Sequence, residues 1–147
     1  MKNLIFLFLA LMLLSACGPG AEADSADADV LTVLYGDREE RFTLEDLQAL
    51  GQVEATFKEV AYYGVVLSDL LAAAGIDPSS LRAVKVTALD GYRINYEPEL
   101  FLLPDTLVSY ARVDGPLAGD ELPFRMVLPA AEGKLNVRMV TEIEAIP

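Results

Sequence analysis

Arg125 stands in an apolar run, Phe124-Arg125-Met126-Val127-Leu128. A guanidinium in such a strand has to meet a carboxylate, an anion or a flat ring, because burying it alone is costly. Tyr62-Tyr63-Gly64 puts two aromatic faces beside a residue with no side chain, where backbone can come close to a ligand. Asp90-Gly91-Tyr92-Arg93 offers an acceptor, an aromatic ring and a donor within four residues. Each set has a structural reading as well. Arg125 suits an ion pair, the tyrosines suit the edge of a core, and Asp90-Gly91 is ordinary turn chemistry. Arg93 reads equally as a solvated strand residue. Arg112, Tyr110, Lys134 and Arg138 are weaker forms of the Arg125 case.

Other chemistries are excluded by residue type. The chain has no histidine, so a Ser-His-Asp set or a His-rich metal centre cannot be built. Its glycines are scattered rather than grouped in a phosphate-cradling loop, and no Asp-x-Asp-x-Asp-Gly calcium loop occurs. The single cysteine, Cys17, rules out an internal disulfide.

Cys17 has a different use. Lys2 precedes an unbroken apolar stretch at residues 4–14, too short to span roughly 30 Å of hydrocarbon. Leu14-Ser15-Ala16-Cys17 then has the form of a lipobox. The expectation is a signal peptide over residues 1–16 and a lipidated Cys17 at the new N-terminus. Gly18 at the following position would direct a Gram-negative lipoprotein to the periplasmic face of the outer membrane. Residues 17–29 form an acidic tether of Gly, Ala, Ser, Pro, Glu and Asp, without large apolar residues.

The whole chain carries 11 basic and 23 acidic residues, a net charge of −12, which becomes −13 once Lys2 leaves with the leader. Such a field argues against nucleic acid as a partner and repels anionic headgroups, so lipid would do the anchoring. Residues 30–147 suffice for one domain.

The elements that position these side chains read as follows. Residues 30–35 and 38–42 make two strands about a Gly36-Asp37 turn. Thr43 caps a helix with Asp46 as its box partner, Phe42 and Leu47 form a staple, and Gly51 stops it. Residues 52–60 alternate as one half-exposed strand that Tyr62-Tyr63-Gly64 breaks. Leu67, Leu70, Leu71 and Ala74 have helical spacing. Asp90-Gly91 joins two alternating strands as a hairpin with positive φ tolerated at both positions. Strands at 107–112, 124–128, 135–140 and 141–146 follow. Many short strands with two or three short helices make an α+β domain.

The ordered set Tyr63-Gly64-Val65-Val66-Leu67-Ser68-Asp69-Leu70-Leu71, Ala74-Gly75-Ile76, Val84-Lys85-Val86-Thr87-Ala88, Asp90-Gly91-Tyr92, Gly115-Pro116-Leu117 and Pro123-Phe124-Arg125-Met126-Val127-Leu128-Pro129 resembles the molybdopterin-binding domain of the sulfite-oxidase family. It is similar above all to the small stand-alone periplasmic versions. The resemblance covers residues 30–147 and implies mixed β-sheets with a few short helices. It also implies a molybdenum-ligating cysteine at residues 52–60, and that stretch has none. A carboxylate such as Glu54 or Glu59 is a poor substitute for a soft thiolate.

What the resemblance then implies is a non-catalytic module that binds a pterin-like molecule without molybdenum and reports to a membrane sensor. Tyr63, Gly64, Asp90, Tyr92, Arg93 and Arg125 are its candidate ligand contacts. The alternatives are a structural or interaction lipoprotein without a pocket, and a subunit of a molybdopterin-dependent oxidoreductase.

Overall fold

Alternation of β-branched and leucine side chains over Val30–Tyr35 forms β1, which turns at Gly36-Asp37 and returns as β2, Arg38–Thr43. Residues 29–147 are described in the computed structural model; the leader, Cys17 and the tether as far as residue 28 lie outside them. The helix α1, Leu44–Leu50, starts at Thr43, whose side chain accepts from the Asp46 N–H while Asp46 accepts from the Thr43 N–H at 2.8 Å. That reciprocal pair is the capping box expected from the sequence.

Two strands come next where one was expected. β3, Val53–Phe57, and β4, Val60–Val66, pair antiparallel across a tight turn at Lys58-Glu59. β4 runs unbroken through Tyr62, Tyr63 and Gly64, with only a register shift at Tyr63/Gly64 where it pairs with β7. The turn escaped the sequence reading because Lys58 and Glu59 both take positive φ, 47° and 68°, which Asn-Gly usually supplies.

The helix α2, Leu67–Ala73, buries Leu67, Leu70 and Leu71. β5, Ala83–Ala88, and β6, Arg93–Tyr96, form the expected hairpin. Its loop differs from the expected form: Gly91 alone has positive φ, 86°, and the Asp90 carboxylate instead accepts from the Tyr92 N–H at 3.0 Å. The short helix α3, Pro98–Phe101, leads to β7, Leu107–Arg112, β8, Gly115–Pro116, and β9, Arg125–Val127. Residues 135–140 are not a strand. A 3-10 turn at Gly133–Leu135 runs into irregular chain with Met139 at φ 56°, and only β10, Val140–Ile146, is extended.

The ten strands make two sheets. One has the order β2-β1-β10-β5-β6, with β1 and β10 parallel. The other has the order β3-β4-β7-β8, with β9 added on β7. The main core joins Leu31, Val86 and Ile143 of the first sheet to Val65 and Val108 of the second and to α1 and α2. A smaller cluster, Ala55, Tyr62, Val66, Leu107, Leu117 and Val127, fills the other side of the second sheet. The β3–β4 turn, the β5–β6 loop and residues 133–139 meet along one edge of this arrangement, and the clefts lie there.

Candidate functional site

Two adjoining clefts, of about 450 Å³ and about 360 Å³, share Gly133, Asn136 and Arg138 in their walls. The first is completed by Asp90 and Tyr92 from the β5–β6 loop and by Asp120, Lys134 and Met139. The second is completed by Phe57, Lys58 and Val60 of the β3–β4 turn, with Tyr62 and Arg125. Of the six candidate contacts, Asp90 and Tyr92 therefore come together in the first cleft, and Arg125 lines the second.

The other three sit elsewhere. Tyr63 and Arg93 line neither cleft. Tyr62 takes the place expected for its neighbour, since successive side chains on a strand point to opposite faces. Gly64 is accounted for by the sheet: a Cβ there would stand 2.4 Å from the Val108 carbonyl oxygen and 2.8 Å from Ser109 Cα. Close approach of β7, rather than of a ligand, accounts for its missing side chain.

The segment between clefts is held firmly. Asn136 is buried; its Oδ1 accepts from the Leu128 N–H at 2.8 Å, and its Nδ2 donates to the carbonyls of Leu128 and Glu132. From the other side the Tyr92 and Tyr96 hydroxyls donate to the carbonyls of Lys134 and Leu135. Burial pushes the Tyr96 phenol far above its ordinary pKa, so it remains a donor. These bonds fix the residues that carry Lys134 and Arg138. Sequence reading missed Asn136; its signal was an isolated amide between apolar Leu135 and Val137.

Behind the second cleft lies a buried polar cluster. Arg125 Nη1 donates to Glu121 Oε1 and to the Tyr62 hydroxyl at 2.7 Å, and that hydroxyl donates to Glu121 at 2.8 Å. Glu121 Oε2 accepts from Arg112 Nε at 3.0 Å and from the Ala118 N–H at 2.9 Å. The Arg125 guanidinium lies 4.6 Å from the Tyr62 ring centroid and 5.9 Å from that of Phe57. Desolvation pushes the Glu121 carboxyl up, but hydrogen bonds from Arg112, the Ala118 N–H, Tyr62 and Arg125 outweigh it and bring the group down to about 2. Desolvation, then the bond to Glu121, pushes the Tyr62 phenol up. Arg125 has thus found the carboxylate that its apolar strand required, while its flank still faces the cleft.

The outer cations are differently placed. Arg138 pairs with Asp120 and Lys134 with Glu132 at 3.0 Å, all four largely in solvent. Such pairs contribute little and are easily exchanged.

The family model for the oxidoreductase molybdopterin binding domain matches residues 35–147. The chain belongs to that family. Among solved structures it is similar to the sulfane dehydrogenase SoxCD from Paracoccus pantotrophus, at 20% identity and a TM-score of 0.64. The match covers 83% of this chain and 39% of that one, and at this identity it speaks to fold alone. No curated protein sequence matches significantly.

The donor set of this molybdopterin-binding domain does not fit the metal that the resemblance implies. Residues 52–60 offer no thiolate, and among the described residues no group of three His, Cys, Asp or Glu side chains could hold an ion. A soft thiolate suits molybdenum, and the cleft presents Lys58 at that stretch instead. We therefore assign no reaction step to a molybdenum centre. The walls do suit a flat polar molecule, with aromatic side chains at Phe57 and Tyr92 and polar groups at Asp90, Lys134 and Arg138.

Proposed function

We propose that this domain is a non-catalytic binding module for a pterin-like molecule. The observation that carries the reading is the pair of adjoining clefts across Gly133, Asn136 and Arg138, with aromatic side chains at both ends and the Arg138 guanidinium between them. A pterin needs a ring to stack on and complementary groups along its edge, and it needs no metal for either.

The sequence of the first 17 residues supports an exported form anchored by lipid on Cys17. In that setting the loaded and empty domains would differ in affinity for a membrane sensor. A second reading is an interaction lipoprotein without a ligand. It draws on Leu89 and Leu122, which are exposed, Leu89 donating its N–H to the carbonyl of Met139 in the first cleft's wall. A molybdopterin-dependent oxidoreductase subunit has the least support, given the donor set.

Native mass spectrometry of the protein taken from the periplasm of a producing bacterium tests the proposal, with fluorescence read on whatever is released. A stoichiometric bound mass with pterin fluorescence is the expected result. A bare polypeptide mass, unchanged when pterins are added, moves the weight to the interaction reading.

A further inference from the structure

The second cleft differs in charge from the rest of the chain. Its walls hold three cations, Lys58, Arg125 and Arg138, and no carboxylate, on a protein with 23 acidic residues against 11 basic. With acids in such excess, an opening free of them is a local departure that calls for a cause.

The three cations are not equivalent. Arg125 is committed to Glu121 and Tyr62 and forms part of the wall. Arg138 reaches Asp120 through an exposed pair, which a competing anion can displace. Lys58 has no carboxylate within ion-pair distance among the described residues. Its ammonium lies 5.5 Å from the Phe57 ring centroid and 3.6 Å from where a Cβ on Gly133 would stand. The β3–β4 turn holds it there, over the glycine that the two clefts share.

We infer that the second cleft receives an oxyanion, a carboxylate or phosphate ester carried on a flat ring, with Lys58 as its principal cation and Arg138 as the second. The ring has Phe57 beside it, while Tyr62 and Asn136 form the wall behind. The inference rests on the cleft being a ligand site and specifies the class of ligand. An ammonium held beside an aromatic ring and without a carboxylate keeps its charge available, and charge-assisted hydrogen bonds to oxyanions are the stronger kind.

The test is titration of the full chain, in detergent, with pterin-6-carboxylate, with unsubstituted pterin and with benzoate, followed by calorimetry. Lys58→Gln and Lys58→Arg are titrated alongside, with thermal midpoints to show that both fold. The carboxylated pterin is expected to bind about tenfold tighter than unsubstituted pterin. K58Q loses that advantage, K58R keeps it, and added salt erodes it. Equal affinities, or a preference that survives K58Q, overturn the oxyanion assignment and leave ring binding in place. Benzoate bound in a Lys58-dependent way, with no pterin bound, sustains the oxyanion site and overturns the pterin reading. Absence of any binding overturns both.

Discussion

Arg125 Nη1 and Glu121 Oε1 face each other where both side chains are almost out of water, 7% and 2% exposed. The pair spans the chain between β8 and β9, so a loop carboxylate holds a strand guanidinium. Removing Glu121 leaves the Arg125 guanidinium buried without a carboxylate, and removing Arg125 leaves the buried Glu121 carboxylate with Arg112 as its remaining cation. Arg125→Met is expected to lower unfolding stability by about 3–5 kcal/mol, read from urea melts. The double variant Arg125→Met with Glu121→Gln recovers only part of that, because Arg112 and the Ala118 N–H still lose their charged acceptor. Full recovery in the double variant would show that the four-donor arrangement around Glu121 carries no weight.

The same carboxylate sets an acid limb. Glu121 lies at about 2 in the folded state against 4.5 for the free group. A depressed folded pKa gives stability that is fully present above the unfolded value and is lost as pH falls through the folded one. Stability should therefore decline between about pH 5 and pH 2, by on the order of 3 kcal/mol from this group. Denaturant midpoints measured across that range should show the decline, and Glu121→Gln should flatten it while lowering the plateau near neutrality.

The turn at Lys58-Glu59 places two side-chain-bearing residues at φ 47° and 68°. Each bears a steric cost that Asn and Gly avoid. Replacing the pair by Asn-Gly is expected to raise stability by about 1–2 kcal/mol, seen as a higher thermal midpoint. It would also remove the Lys58 ammonium from the cleft. An unchanged or lower midpoint would mean that the turn is not where this strain is borne.

Gly64 separates a packing role from a ligand role. Gly64→Ala drives a methyl into the backbone of Val108 and Ser109, at 2.4 Å and 2.8 Å, where nothing flexible can give way. A loss of about 2–3 kcal/mol is expected, with β4 pushed from β7. A neutral change in stability combined with lost ligand binding would return Gly64 to the site.

Much of this fold is legible locally. Thr43 and Asp46 announce α1 because a capping box needs only residues three apart. Val84, Val86 and Ala88 announce the buried face of β5 because strand periodicity is a two-residue matter. The β3–β4 turn was not legible, since Lys-Glu is an uncommon occupant of its backbone conformation and pairing between β3 and β4 sustains it. Residues 135–139 misled in the opposite direction. Their apolar content imitates a strand, yet Asn136 is bonded to Leu128 and Glu132, and Met139 takes positive φ.

The sequence by itself determined which chemistries are closed to residues 30–147. Without cysteine or histidine there, the domain has no thiolate and no imidazole in any conformation. It also determined that Arg125, in an apolar strand, would need a partner. Only the tertiary structure decided that the partner is Glu121, that Tyr62 rather than Tyr63 faces Arg125, and that Lys58 overhangs Gly133. The reason is physical: residue type is a local property, whereas these contacts join positions up to 75 apart in the chain, as Lys58 and Gly133 are. Strand register and sheet packing select among the pairings that residue type leaves open.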